Sequence, residues 1–109
     1  GEPESPLGAE FADAKPGQPF HGYLFKILTA QGKDAPGGAR SYIKNGHMTE
    51  GHALVAWPAK YDDTGVMTFI VNQDGVVYQK NLGPGTDAAA RAISAYNPDA
   101  SWEKVMPGK

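Results

Sequence analysis

The sequence predicts an α+β fold: an antiparallel β-sheet of four to five strands with one α-helix near the C-terminus. Three observations predict it. Apolar residues alternate at period two over several short segments. Glycine, proline and asparagine punctuate the gaps between those segments. One alanine-rich stretch near the end changes to helical spacing. A chain of 109 residues has room for one hydrophobic core. It divides into an extended arm or linker, residues 1–19, and a single α+β domain, residues 20–109.

The arm carries Pro3, Pro6, Pro16 and Pro19, which forbid a regular helix or a central strand over most of its length. Leu7 and Phe11 are its apolar anchors. In the segment 20–30, Tyr23, Phe25 and Ile27 alternate with Leu24, Lys26 and Leu28. This is a strand, and the Tyr23–Phe25–Ile27 face is expected to point into the core. Residues 31–40 form a loop punctuated by Pro36, Gly37 and Gly38. This glycine-rich loop lacks the spacing of a phosphate-binding motif. Asn45-Gly46 between two short apolar-polar runs signals a tight hairpin, since both central residues of a type I′ turn need positive φ.

The segment from Gly51 to Tyr78 holds most of the large β-favouring residues. Residues 51–58 form a strand with Ala53, Val55 and Trp57 on one face and His52, Leu54 and Ala56 on the other. Both faces are largely apolar, which predicts a central strand covered on both sides. Residues 66–72 and 76–80 form an antiparallel pair around the turn Gln73-Asp74-Gly75. Thr86 is the expected N-cap of a helix over 87–96, with Ala89, Ala92, Ile93 and Tyr96 as its buried stripe. Asn97-Pro98 ends it, and residues 101–105 form a short edge strand with Trp102 packed inward.

The net charge of −2 offers no basic surface for a phosphate backbone, so no nucleic-acid partner is expected. No apolar run approaches the length of a bilayer span. The absence of cysteine removes disulfides, thiolate nucleophiles and cysteine-based zinc sites. His21, His47 and His52 do not have the spacing of a helical metal pair. Asp62-Asp63 and Asn72–Asp74 offer oxygens for a weak calcium site but do not match the calcium-loop pattern. No serine lies in a nucleophile elbow. No catalytic residue, metal or cofactor is expected, and the domain is read as non-enzymatic. Tyr42, Tyr61 and Tyr78, taken as exposed, are the candidate ligand-binding residues, since aromatic rings serve as platforms for sugars or peptides.

The strings HGYLFKILTAQG, APGGA, ALVAWPA, GVMTFIVNQDGVVYQKNLGP and ARAISAYNPDASWEKV occur in that order. Together they resemble the C-terminal part of the bacterial exported proteins grouped as domain of unknown function 2950. The resemblance implies a signal peptide, a helical N-terminal half and this β-rich C-terminal half in one longer product. It implies no activity. A weaker similarity, carried by GY-x-F, A-x-P and TF-x-V-x-x-DG-x-V, is to the globular heads of type IV pilins and pseudopilins, whose sheet packs on a long helix. The resulting expectation is an exported cell-envelope module, periplasmic or extracellular. It would act through assembly or protein binding, with a helix from an upstream segment or another subunit as partner. The alternatives are a small-ligand or carbohydrate-binding domain using the three tyrosines, and a hydrolase using His52 or His21.

Overall fold

A computed structural model describes residues 22–105. The expected arm, residues 1–19, lies outside them. The centre is a five-stranded antiparallel sheet. Its strands are β1 (Tyr23–Leu28), β6 (Ala53–Pro58), β7 (Thr68–Asn72), β8 (Val77–Lys80) and β9 (Glu103–Lys104), in the spatial order β1-β6-β7-β8-β9. Between β1 and β6 the chain makes two small ribbons. One pairs β2 (Ala30–Gln31) with β3 (Arg40–Ser41), and the other pairs β4 (Ile43–Lys44) with β5 (His47–Met48). The second ribbon is the expected hairpin, with Asn45 at φ 54° and Gly46 at φ 82°. The β7–β8 turn closes with Gly75 at φ 76°.

Strand β6 is central, flanked by β1 and β7, and it is buried on both faces as its doubly apolar pattern predicts. The main core lies on the side of Ala53, Val55 and Trp57. Leu24 and Leu28 from β1, Ile70 from β7, Tyr42, Ala90 and Tyr96 join them there. This reverses the expected orientation of β1. Leu24 and Leu28 meet the main core, Phe25 and Tyr23 lie on the opposite face, and Ile27 is 43% exposed. Period two separates the two faces of a strand but does not say which one the helix covers.

The helix is shorter than the alanine run suggests. A 3₁₀ turn over Gly83–Gly85 leads into α1 (Thr86–Arg91). Thr86 is the first helical residue rather than the N-cap, and its hydroxyl donates back to the Gly83 carbonyl. Thr86 and Ala90 face inward, while Ala89 and Ala92 are exposed, so the expected stripe fails. The reason lies further along the chain. The Tyr96 amide donates to the Ala30 carbonyl and the Gly32 amide donates to the Tyr96 carbonyl, both at 2.9 Å. These bonds draw residues 92–96 away from helical geometry and onto β2. Trp102 packs against the core beside β9, as expected of that edge.

Candidate functional site

Two surfaces of this frame have the composition of a recognition site. The first is the sheet face opposite α1. Residues directly opposed on neighbouring strands share a face. One row therefore runs Ile27–Leu54–Val71–Val77, and the next runs Phe25–Ala56–Phe69–Gln79–Glu103. The β1–β6–β7 part of both rows is apolar. The far end is polar, where Gln79 donates to Glu103 at 3.0 Å. Tyr23 and Phe69 meet with ring centroids 6.0 Å apart. Ala56, a small residue, lies between Phe25 and Phe69 in its row, and Phe25 and Ala56 are both buried, with Tyr23 and Leu54 packed against them. Ile27, at the β1 end of the other row, is exposed.

The second surface is a notch of about 260 Å³ between β7 and the segment 93–102. Ile70, Ile93, Ala95 and Trp102 give it apolar walls, and Ser94, Asn97 and Asp99 line it with polar groups. Asp99 Oδ1 accepts from the Ser101 amide at 2.8 Å and from the Ser101 hydroxyl. Those bonds from Ser101 hold the Asp99 carboxyl below the usual carboxylate range. Lys80 Nζ donates to Ser101 Oγ at 2.8 Å and lies 5.7 Å from the centre of the Trp102 ring. In this set the lysine ammonium donates to the serine hydroxyl, which in turn donates to the carboxylate.

Of the three tyrosines, one is buried and two are half-buried. Tyr42 is completely buried, and its hydroxyl donates to Gln31 Oε1 at 3.0 Å. Gln31 Nε2 in turn donates to the carbonyls of Pro36 and Gly38, so the amide ties the 31–40 loop to the core. Burial raises the Tyr42 phenol above its ordinary value. Tyr78 is half-buried, edge-on to Tyr96 with centroids 6.4 Å apart. Tyr61 is half-buried and donates to Asn81 Oδ1 at 2.9 Å. The exposure expected of Tyr42 is therefore replaced by a structural role, because its ring fills the space beneath Gly51.

The remaining candidates are dispersed. His47 and His52 are exposed on separate segments, and His21 lies outside the described residues. Asn72 Oδ1 accepts from the Asp74 amide at 3.0 Å, and the Asp62 amide donates to the Gly65 carbonyl at 2.7 Å. Local turn bonding accounts for both Asx clusters. Among the described residues no three His, Asp or Glu side chains converge to hold a metal. No helix there is long and apolar enough to cross a membrane. Trp102 and Asp99 were within reach of sequence reasoning as an aromatic and an acid three residues apart, but their convergence with Ile93 and Ile70 depends on the fold.

Fold and surfaces together define an antiparallel α+β domain with a helix on one face of its sheet and a second apolar cluster on the other. Residues 1–105 match the family model described as a protein of unknown function, DUF2950, and the chain belongs to that family. No curated protein and no solved structure matches it.

Proposed function

We propose that this domain is a non-enzymatic, exported module of the cell envelope that acts by binding protein, with the contact made at the exposed Ile27 end of the sheet and a helix from an upstream segment or another subunit as partner. The observation that carries this reading is a large apolar side chain left exposed on an edge strand: Ile27 of β1 is 43% exposed, directly opposite half-buried Leu54. The rest of that face is not open, since Phe25 and Ala56 are buried at 4% and 0% exposure. The family resemblance adds a helical half in the same product as a source of such a helix, and another subunit is the second source. Export rests on that resemblance alone.

The test is a photo-reactive phenylalanine analogue at position 27, at the exposed edge of the sheet, in cells producing the native gene product. Crosslinks to a helical segment outside residues 22–105, recovered from an envelope or secreted fraction, support the reading. Recovery only from the cytoplasm removes the exported role. A product whose only crosslinks are to solvent removes the docking role.

A further inference from the structure

The notch at the C-terminal end of the sheet has a composition that selects a ligand, and no part of the protein-binding reading uses it. Apolar walls from Ile70, Ile93, Ala95 and Trp102 stand beside the polar groups of Ser94, Asn97 and Asp99, and among the described lining residues the ionised group is Asp99. A carboxylate accepts hydrogen bonds and repels anions, so the ligand must bring hydroxyl or ammonium donors. The Lys80 ammonium already lies 5.7 Å from the Trp102 ring centre and opposes a second cation at that ring. A neutral hydroxyl donor is what remains. The Trp102 ring and the Ile70 and Ile93 side chains supply apolar contact for the C–H groups of such a molecule. The volume, about 260 Å³, lies just below the lower end of ordinary ligand pockets, which fits one ring rather than an extended chain.

The notch is also held in place. The Asn97 side chain accepts from the Asp34 amide at 2.9 Å and donates to the Asp34 carboxylate at 3.2 Å. The Tyr96 backbone is bonded on both sides to β2 and the residue after it, and the Trp102 amide donates to the Asp99 carbonyl at 3.1 Å. Ser101 occupies Asp99 Oδ1 and leaves Oδ2 for a ligand. Ser94 Oγ stands exposed at the rim, able to donate or accept. We infer that this notch is a binding site for a single neutral sugar ring, free or as the terminal residue of a glycan, with Asp99 and Ser94 bonding its hydroxyls and Trp102 packing on its apolar face.

The experiment is an amide chemical-shift titration of the full 109-residue chain. The probes are glucose, N-acetylglucosamine and galactose, a short oligosaccharide of each, glycerol phosphate as the anionic arm and choline as the cationic arm. The expected result is saturable shifts confined to residues 93–102 with one or more neutral sugars, at a Kd on the order of 1–10 mM. Equal affinity for a monosaccharide and its oligosaccharide places the site on a free sugar or a chain end. Asp99→Ala is expected to weaken binding at least about tenfold. Ser94→Phe, which fills the rim without touching the core, is expected to abolish it while the amides of β1 and β6 stay unshifted. No saturable shift with any neutral sugar overturns the inference. So do saturation by glycerol phosphate or choline alone, and sugar shifts that survive both substitutions.

Discussion

The indole N–H of Trp57 donates to Asp87 Oδ1 at 2.9 Å, joining the central strand to the first turn of α1 across 30 residues of sequence. Arg91, one turn further on, donates its Nε to the same carboxylate at 2.9 Å and places its guanidinium 5.5 Å from the centre of the indole ring. A helix of six residues has little stability of its own. This three-member contact, with Ala90 and Thr86 buried beneath it, holds the helix against the sheet.

Asp87→Ala is expected to leave a buried indole N–H without its acceptor, at a cost of about 1–2 kcal/mol. Arg91→Ala removes only an exposed pair and a ring contact and is expected to cost about 0.5 kcal/mol. Urea denaturation followed by tryptophan fluorescence measures both. Equal losses would mean that the ion pair, not the indole bond, secures the helix.

Tyr42→Phe is expected to destabilise the domain by about 1–2 kcal/mol, because Gln31 Oε1 loses its buried donor. Gln31→Leu in the same background is expected to add less than its single-mutant cost, since the two side chains act as one network. Additive costs would contradict the coupling. Gly51, at φ 140°, tests the same packing from the other side. A Cβ there would lie 2.8 Å from the Tyr42 ring, so Gly51→Ala is expected to cost more than about 1 kcal/mol.

Thr68 is fully buried, and among the described residues its hydroxyl has no hydrogen-bond partner. Thr68→Val keeps the shape and removes the unsatisfied group. It is expected to raise stability by about 1 kcal/mol, read as a higher denaturation midpoint at unchanged slope. A loss of stability would mean that the hydroxyl has a role the packing does not supply.

Stability is expected to fall at both ends of the pH range. The Asp87 carboxyl is held below its ordinary value, first by Arg91 and then by Trp57. Its contribution is present above the unfolded pKa, near 3.8, and is lost as pH falls through the lower folded value. The Tyr96 phenol is raised, mainly by burial. Its unfolded form ionises near 10.0 while the folded form does not, so stability falls as pH rises beyond that value. Thermal melts from pH 2 to 11 check both limbs. A Tyr96→Phe variant is expected to flatten the alkaline one.

The strands and tight turns were legible because their signals are local. Alternation marks β1, β6, β7 and β8, and the positive φ of Asn45, Gly46 and Gly75 is what Asn-Gly and Asp-Gly pairs supply. The misreadings share a cause in contacts distant along the chain. The β1 face in contact with the main core depends on where α1 lands. The helical stripe through Tyr96 fails because that residue's backbone pairs with a strand more than 60 residues earlier. Tyr42, set between Ser41 and Ile43, has a sequence context that does not distinguish a surface tyrosine from a buried one. Its burial follows from Gln31 and Gly51 meeting over it. The notch escaped for the same reason, since Ile70 and Trp102 meet only once β7, β8 and β9 are side by side.

The most direct test of the protein-binding role is carbene footprinting of the native gene product, purified from its cellular source, beside the isolated 109-residue chain. Ile27 and Leu54 report on the exposed end of the sheet face opposite α1, and Ile43 and Met48, exposed on the β4–β5 hairpin, serve as controls. The account predicts severalfold lower labelling of Ile27 and Leu54 in the native product, with the hairpin unchanged. Equal labelling of these two residues in both preparations would contradict it.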